Sequence, residues 1–553
     1  MLRASYYTPP SVIDEQVFTA LVPDDHYLRR VKTILDFERY RTLLAPCYSA
    51  TDGRPADDPV LMVKLEFLQF HYRLSDREVI AEAQVNVAYR FFLDLSLEST
   101  LPHPSLLSVF RARLGEERHQ HIFADVVAQG RDQGLIKDRL RLKDATHVIA
   151  AIAIPSTLRL VAQTRRRLLE AVRPFAPARV ADEEDQAAQV RLATSDLSDV
   201  DRLAQRVAHL RAIVAWVDDV AGAWLPDDAE AEPHGQAVRA ILDLAHKVLA
   251  DRADPEAGDA LVSLVDPEAR RGKHGAYYTG YALDVAMDAD SELITAVNLL
   301  PANGDEAADT ETLIAQEEEA QGNEVQALSI DGIGFRGDLL RHWQDPDGLH
   351  LDVFVPPSPE PAPLSSFPGE DFTLDREGKV LTCPGGQQTH YRTRTTPNTG
   401  WTYTFPAATC HACPLRAQCL AKPTGVSGRT VIKNDYAAEY AAARAKAQTA
   451  TYQEVRQEHR AIEHKLAELV RRHGARRSRY RGRGRGLIQY LMTAVVANVK
   501  RMVRLLWPQT PSPGGSAGAD RASGAPPAPL LRAVCWSFSL YPSFWAASRP
   551  VAS

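Results

Sequence analysis

The stretch RLRLKDATHVIAAIAI, from Arg139 to Ile154, constrains the fold more than any other part of the chain. Leu140, Leu142 and Asp144 alternate with Arg139, Arg141 and Lys143 at period two, the pattern of a β-strand with one apolar face. That apolar face carries a carboxylate. A buried carboxylate has to be neutralised by protonation, a cation or a metal ion, which singles out Asp144 as a candidate for chemistry. The plainer alternative for any one acidic residue, a solvated position, stays open, because acidic residues are mostly exposed.

The flanking sequence reads as helix. Residues 1–135 form a helical region in which Leu61, Leu65, Leu68 and Tyr72 recur at helical spacing and Ser75 with Glu78 makes a capping box. LPHPSLLSVFRARLGEE then predicts a proline-marked turn, Ser105 as N-cap and a short helix bearing Arg111 and Arg113. Helix, turn and basic helix fit a DNA reader, and fit a helical bundle with solvated arginines equally well. Residues 136–155 are the first strand segment and 156–260 a charge-rich helical insertion. Within 261–355 the pattern predicts two strands with a turn near Asp288 to Asp290, then a short strand ending at Asp331 with glycines at 332 and 334 leaving room for close approach. Residues 356–430 read as a Pro- and Cys-rich loop region and 431–507 as helix. The 508–553 tail, PQTPSPGGSAGADRASGAPPAP and beyond, reads as low-complexity and disordered.

Glu463 completes a set. On a helical wheel Ile462, Leu466, Leu469 and Val470 make an apolar arc with Glu463 at its edge, able to reach toward a sheet. Two strand-end aspartates and a helical glutamate are hard oxygen ligands suited to Mg²⁺ or Mn²⁺. Cys383, Cys410, Cys413 and Cys419 follow a C-x26-C-x2-C-x5-C spacing. That pattern predicts a closed structural Zn²⁺ site, against free reduced thiols, with His390 and His411 as substitute ligands. From Arg471 to Arg485 eight of fifteen residues are arginine, in a chain of formal net charge −7. Such a balance argues against a protein that coats nucleic acid indiscriminately and allows a local basic face. No uncharged apolar run reaches membrane-span length and no signal-like segment opens the chain, so the expectation is a cytoplasmic, nucleoid-associated protein without membrane contact.

These motifs together resemble the DDE transposases of bacterial insertion sequences, in the branch with a cysteine cluster before the catalytic glutamate. The likeness is carried by DDPVLMVKLEFLQFHYRLSDREVIAEA, LPHPSLLSVFRARLG, KDATHVIA, LVDPEARRGKHGAYYTGYALDVAMDADSELITAV, LSIDGIGFRG, and RAIEHKLAELVRRHGARRSRYRG followed by ANVKRM. The resemblance implies an α/β fold: an RNase H-like mixed sheet flanked by helices, with an N-terminal all-α domain and a helical insertion. It implies Asp144, Asp331 and Glu463 as the Mg²⁺-binding catalytic triad. The implied reaction is hydrolysis at the ends of a mobile element, followed by attack of the freed 3′ hydroxyl on target DNA. Arg460 and Arg471 stand near the positions where many relatives carry Arg and Lys, while His459 and Val470 depart from the Tyr-x2-Arg-x3-Glu-x6-Lys pattern. Beside such a triad, Arg471, Arg472, Arg476, Arg477, Arg479 and Arg481 are expected to contact the DNA backbone, with Tyr480 stacking on a frayed base. The expected partners are the terminal inverted repeats, target DNA and a second copy of the chain pairing two ends. Rival readings are a catalytically inactive DNA-binding regulator and a metal-dependent nuclease without strand transfer.

Overall fold

The computed structural model describes residues 9–508 apart from residues 50, 54, 225–232, 255–257, 359–366, 397–398 and 421–425. The tail expectation for 509–553 lies outside the described residues. Six strands form one mixed sheet: β1 (Arg141–Ile149), β2 (Arg270–His274), β3 (Ala276–Asp288), β4 (Ile294–Pro301), β5 (Ala327–Ser329) and β6 (Asp352–Phe354). Their order is β2–β3–β1–β5–β6 with β4 also on β3. β3 runs antiparallel to β1, β2 and β4, whereas β1, β5 and β6 are mutually parallel along the sheet. Three strands therefore stand where the spacing predicted two, because Gly275, at φ +70°, turns RRGKH back onto AYYTG as a hairpin.

β1 has the predicted period but not the predicted solvent face. Arg141 and Lys143 are 1 % and 2 % exposed. Arg141 donates to Asp288 at 2.9 Å and to Glu317, on the helix Thr310–Gln321, at 2.6 Å, while the Lys143 ammonium lies 2.9 Å from Asp284. Burial on both faces is what a central strand flanked by parallel and antiparallel neighbours requires, and the cations enter only because carboxylates meet them there.

The N-terminal helices are not a separate globule. One apolar core runs from Leu28, Phe67 and Phe92 through β1, β3 and β4 to Tyr490 and Val496 of the long helix Arg483–Leu506. In the helix Pro59–Tyr72 every residue from Pro59 to Phe70 is buried, so its polar residues need internal partners. Lys64 pairs with Asp94, Glu66 lies 3.3 Å from His119, and Gln69 accepts from Arg111 at 3.1 Å. Asn498, in the ANVKRM motif, accepts from the Ile294 amide and donates to its carbonyl, both at 2.8 Å, pinning β4 to the long helix. The capping box of Ser75 and Glu78 forms as the spacing predicts. Ser105 does not cap: Pro104 holds that position, and Ser105 Oγ bonds His103 Nδ1 at 2.7 Å. The helix it opens runs to Asp132 and is broken at Gly115, whose φ of +61° a side chain rarely adopts.

The insertion is a bundle of the helices Thr157–Val172, Pro177–Ala193, Asp199–Trp224 and Pro233–Ala253, with its own core around Leu168, Val214 and Val238. The 356–430 segment, expected as loop, instead carries two three-stranded sheets. These are β7 (Thr373–Leu374), β8 (Leu381–Thr382) and β9 (Gln388–Thr389), then β10 (Arg392–Arg394), β11 (Gly400–Thr404) and β12 (Thr430–Asn434). Their strands are too short for periodicity to register, and they pack on Phe372, Tyr403 and Phe405. Among the described residues no helix is long and apolar enough to cross a membrane.

His473, at the end of the helix Arg460–His473, is buried, and neither ring nitrogen has a hydrogen-bond partner. Burial and the nearby Lys500 push its pKa down to about 3. The unfolded chain then takes up this proton first as pH falls, so stability present above pH ~6.5 is lost toward pH 3. His473→Gln is expected to flatten this acid slope by about 3 kcal/mol between pH 6.5 and 4. Urea denaturation at both pH values reads it, and equal slopes in the two proteins would refute it.

Candidate active site

The parallel ladder between β1 and β5 pairs Leu142 with Ser329. Asp144 lies two residues beyond this ladder on β1, and Asp331 follows two residues after the end of β5. β5 itself ends at Ser329, two residues earlier than the pattern predicts. Asp331 caps the short turn Gly332–Gly334, its Oδ1 accepting from the Ile333 amide at 3.2 Å. Asp144 is half-buried and its Oδ1 accepts from the Ala145 amide at 2.8 Å. Glu463 stands exposed in the first turn of the helix Arg460–His473, which packs on β1 through Ile462, Leu466 and Leu469. The three carboxylates share one field. Burial raises Asp144 to about 6, the Ala145 amide opposes it, and the charges of Asp331 and Glu463 add to the rise.

Sequence reasoning missed the cation of this site. Arg456 donates from Nη1 to the Ile330 carbonyl at 2.9 Å and to Ser329 Oγ at 3.2 Å, so it grips the strand end that presents Asp331. Burial lowers its pKa, and the charges of Asp331, Glu463 and Asp144 work against that. Its signal was available: Arg456 lies two helical turns before Glu463, and His459 between them keeps helical φ and ψ of −53° and −29°. His459 is buried, its Nδ1 3.0 Å from Ser329 Oγ, and burial next to Arg456 brings it down to about 4. It is neutral at physiological pH and fills a packing position. Glu306 is a further carboxylate in the field of Asp331; burial raises it, Lys143 lowers it, and Asp331 raises it again.

The arginine segment is built into the fold by its backbone. Ile149 donates to the Arg476 carbonyl and accepts from the Ser478 amide, both at 2.9 Å, extending β1 alongside residues 476–478. Several expected DNA contacts are spent internally. Arg111 is 8 % exposed, bound to Asp76 at 2.6 Å and to Gln69, and its guanidinium covers the Tyr480 ring at 5.4 Å. Arg111 is therefore a packing residue, and Tyr480 is half-buried rather than free to stack on a base. Arg476 donates to the His147 carbonyl, and Arg479, though exposed, donates to the Leu74 carbonyl at 3.1 Å while lying over Phe70. Arg460, Arg471, Arg472, Arg477 and Arg481 are exposed, Arg481 donating from Nε to the Ala151 carbonyl at 3.4 Å, as is Arg113, which lies 4.7 Å over the Tyr48 ring. Periodicity could not make this division, because it depends on contacts with residues 69–151, far away in sequence.

The four cysteines converge. Cys383, Cys410, Cys413 and Cys419 line one small cavity with Phe372, Phe405 and Arg429. A Cβ on Gly385 would lie 3.2 Å from the Cys413 sulfur and 3.7 Å from that of Cys383. The Arg429 amide donates to Cys410 Sγ at 3.3 Å. Burial pushes the Cys419 thiol up, Arg429 opposes it, and the other three cysteines raise it further. His411 is exposed against Arg416 and His390 against Tyr391, so neither joins the group. By donor chemistry the carboxylates suit a hard dication and the thiols zinc. Among the described residues, however, no group of three or more His, Cys, Asp or Glu side chains is closed tightly enough to cage a metal ion.

The transposase domain family DUF772 matches residues 16–113, and a transposase DDE domain family matches residues 382–503. No curated protein and no solved structure matches the chain. The second match spans the four cysteines, Glu463 and the arginine segment; Asp144 and Asp331 lie outside both. A transposase domain matched in the N-terminal helices and a transposase DDE domain in the segment that carries Glu463 together support a DDE transposase of an insertion sequence.

Proposed function

We propose that the mixed sheet is an RNase H-like catalytic core and that the chain cleaves DNA at the ends of its element and joins them to target DNA. The observation that supports this reading is that the charges of Asp331 and Glu463 both act on Asp144, just beyond the parallel β1–β5 ladder. The strand order β4–β3–β1–β5–β6, with β3 alone antiparallel to the other four, supports it.

Asp144, Asp331 and Glu463 would hold Mg²⁺ or Mn²⁺, which when bound supplies Lewis-acid stabilisation and a nucleophilic oxygen at neutral pH. Arg456 holds the strand end that leads to Asp331. Arg460, Arg471, Arg472, Arg477, Arg481 and Arg113 take phosphodiester oxygens. In the first step water attacks phosphorus, the P–O3′ bond at the element end breaks, and the freed strand end keeps a 3′ hydroxyl. In the second, that oxygen attacks a target phosphodiester, forms a new P–O bond and displaces the target's own 3′ oxygen, which leaves protonated. Pairing two ends calls for a homodimer on DNA.

The test is transposition in cells of a marked element carrying this gene and its native flanks, wild type beside Asp331→Asn at equal soluble protein. New junctions with wild type and none with the variant are expected. Wild-type protein that binds the flanks without cutting is instead a regulator, and one that nicks without joining is a nuclease.

We infer further that the four cysteines hold a structural Zn²⁺. Elemental analysis of purified protein is expected to find about one zinc per chain, lost in Cys410→Ser/Cys413→Ser together with protease resistance of residues 356–430. Equal zinc in both proteins would end that assignment.

A further inference from the structure

Three helices of the insertion, Thr157–Val172, Pro177–Ala193 and Asp199–Trp224, enclose a cleft that the reaction above does not use. It measures about 380 Å³ and is lined by Arg159, Arg165, Arg166 and Arg206, with Glu184 the single acid. At ~30 Å³ per water this is room for about a dozen waters, more than a lone ion needs. Ala162 and Ala187 leave the space open where larger side chains would fill it.

The charges in this cleft do not balance. Glu184 is already taken by Arg173 at 2.6 Å, and Arg166 has only Glu170 at 3.5 Å. Arg206 spends Nη1 on the Leu158 carbonyl at 3.3 Å. Arg165 has its Nε shut off from solvent without an acceptor. Burial, then Arg206, then Arg191 disfavour its charge, and Glu184 offsets this only in part. Arg159 and Arg166 are exposed and Arg165 and Arg206 half-buried around one open cleft, and guanidinium forks in that arrangement match the oxygens of a phosphate.

We propose that this cleft binds a phosphate of the DNA backbone, making the helical insertion a second grip on DNA, separate from the carboxylate site. The proposal rests on the reading that the chain acts on DNA. A backbone phosphate is favoured over a nucleotide because no aromatic residue lines the cleft to take a base.

The experiment measures binding of full-length protein to a duplex of the element's end by fluorescence anisotropy across a salt series. Wild type is compared with Arg159→Gln/Arg165→Gln and with the control Arg211→Gln, an exposed arginine outside the cleft on the helix that carries Arg206. Losing the one phosphate contact is expected to reduce the slope of log K against log salt by about 1 and to weaken binding roughly tenfold, with the control unchanged. If the double variant melts lower than wild type, Arg159→Gln alone is measured, with a slope change in the same direction of up to about 1. An unchanged slope and affinity, with wild type binding, overturns the cleft and leaves the transposase reading standing. Wild type that binds no duplex overturns both. If the variant binds duplex normally while inorganic phosphate raises the melting temperature of wild type alone, the cleft takes a free anion and the DNA proposal falls.

Discussion

Asp144→Asn is expected to abolish DNA cleavage while raising the stability of the metal-free protein. Carboxylate-bound metal stabilises charge in the transition state by several kcal/mol. Its loss lowers the cleavage rate on the order of 1000-fold. DNA affinity changes by less than about twofold, because the exposed arginines supply the backbone contacts. The stability effect has the opposite sign. Burial and its two acidic neighbours raise Asp144 from its ordinary 3.8 to about 6. The group therefore favours the fold only when protonated, below pH ~4, and that contribution is lost as pH rises through 6. At pH 8 the neutral asparagine avoids the repulsion, a gain on the order of 2 kcal/mol. Mg²⁺ raises the melting temperature of wild type and leaves the variant unmoved. A variant that cuts at the wild-type rate, or melts lower than metal-free wild type at pH 8, would remove Asp144 from the site.

Arg141→Ala is the second large effect, and it falls on stability alone. Arg141 is enclosed with Asp288 and Glu317, which are 0 % and 2 % exposed, and with Asp138 at the rim. Deleting the cation leaves two buried carboxylates uncompensated, a loss of about 3–5 kcal/mol. The expected result is a matching fall in the urea unfolding free energy at pH 7. A change under 1 kcal/mol would mean that water reaches these acids, contrary to their burial.

Arg141 also marks where reading the sequence runs out. RLRLKDATHV has period two, and that alone places Leu142 and Asp144 on one face and Arg141 and Lys143 on the other. Which face meets water is not a local property. Here neither does, because Asp284, Asp288 and Glu317 arrive from chain 140–176 residues away. The arginine segment carries the same lesson: Arg477 and Arg479 look alike in RRSRYRG, yet one is free and the other is bound to the Leu74 carbonyl. The contact of Arg456 with the Ile330 carbonyl leaves no mark in the sequence either, because it joins residues 126 apart in the chain.

The sequence by itself determined the type of nearly every long element, the strand position of Asp144, the helical position of Glu463 and the grouping of the four cysteines. Those are properties of periods and spacings shorter than one element. Only the tertiary structure decided that β1 and β5 pair in parallel with Asp144 in the field of Asp331, that Arg456 grips the strand end before Asp331, and how the arginines divide between internal contacts and solvent. Parallel strands are joined by long crossovers, here a whole helical bundle, so their register is set by packing of surfaces distant in sequence and leaves no local trace.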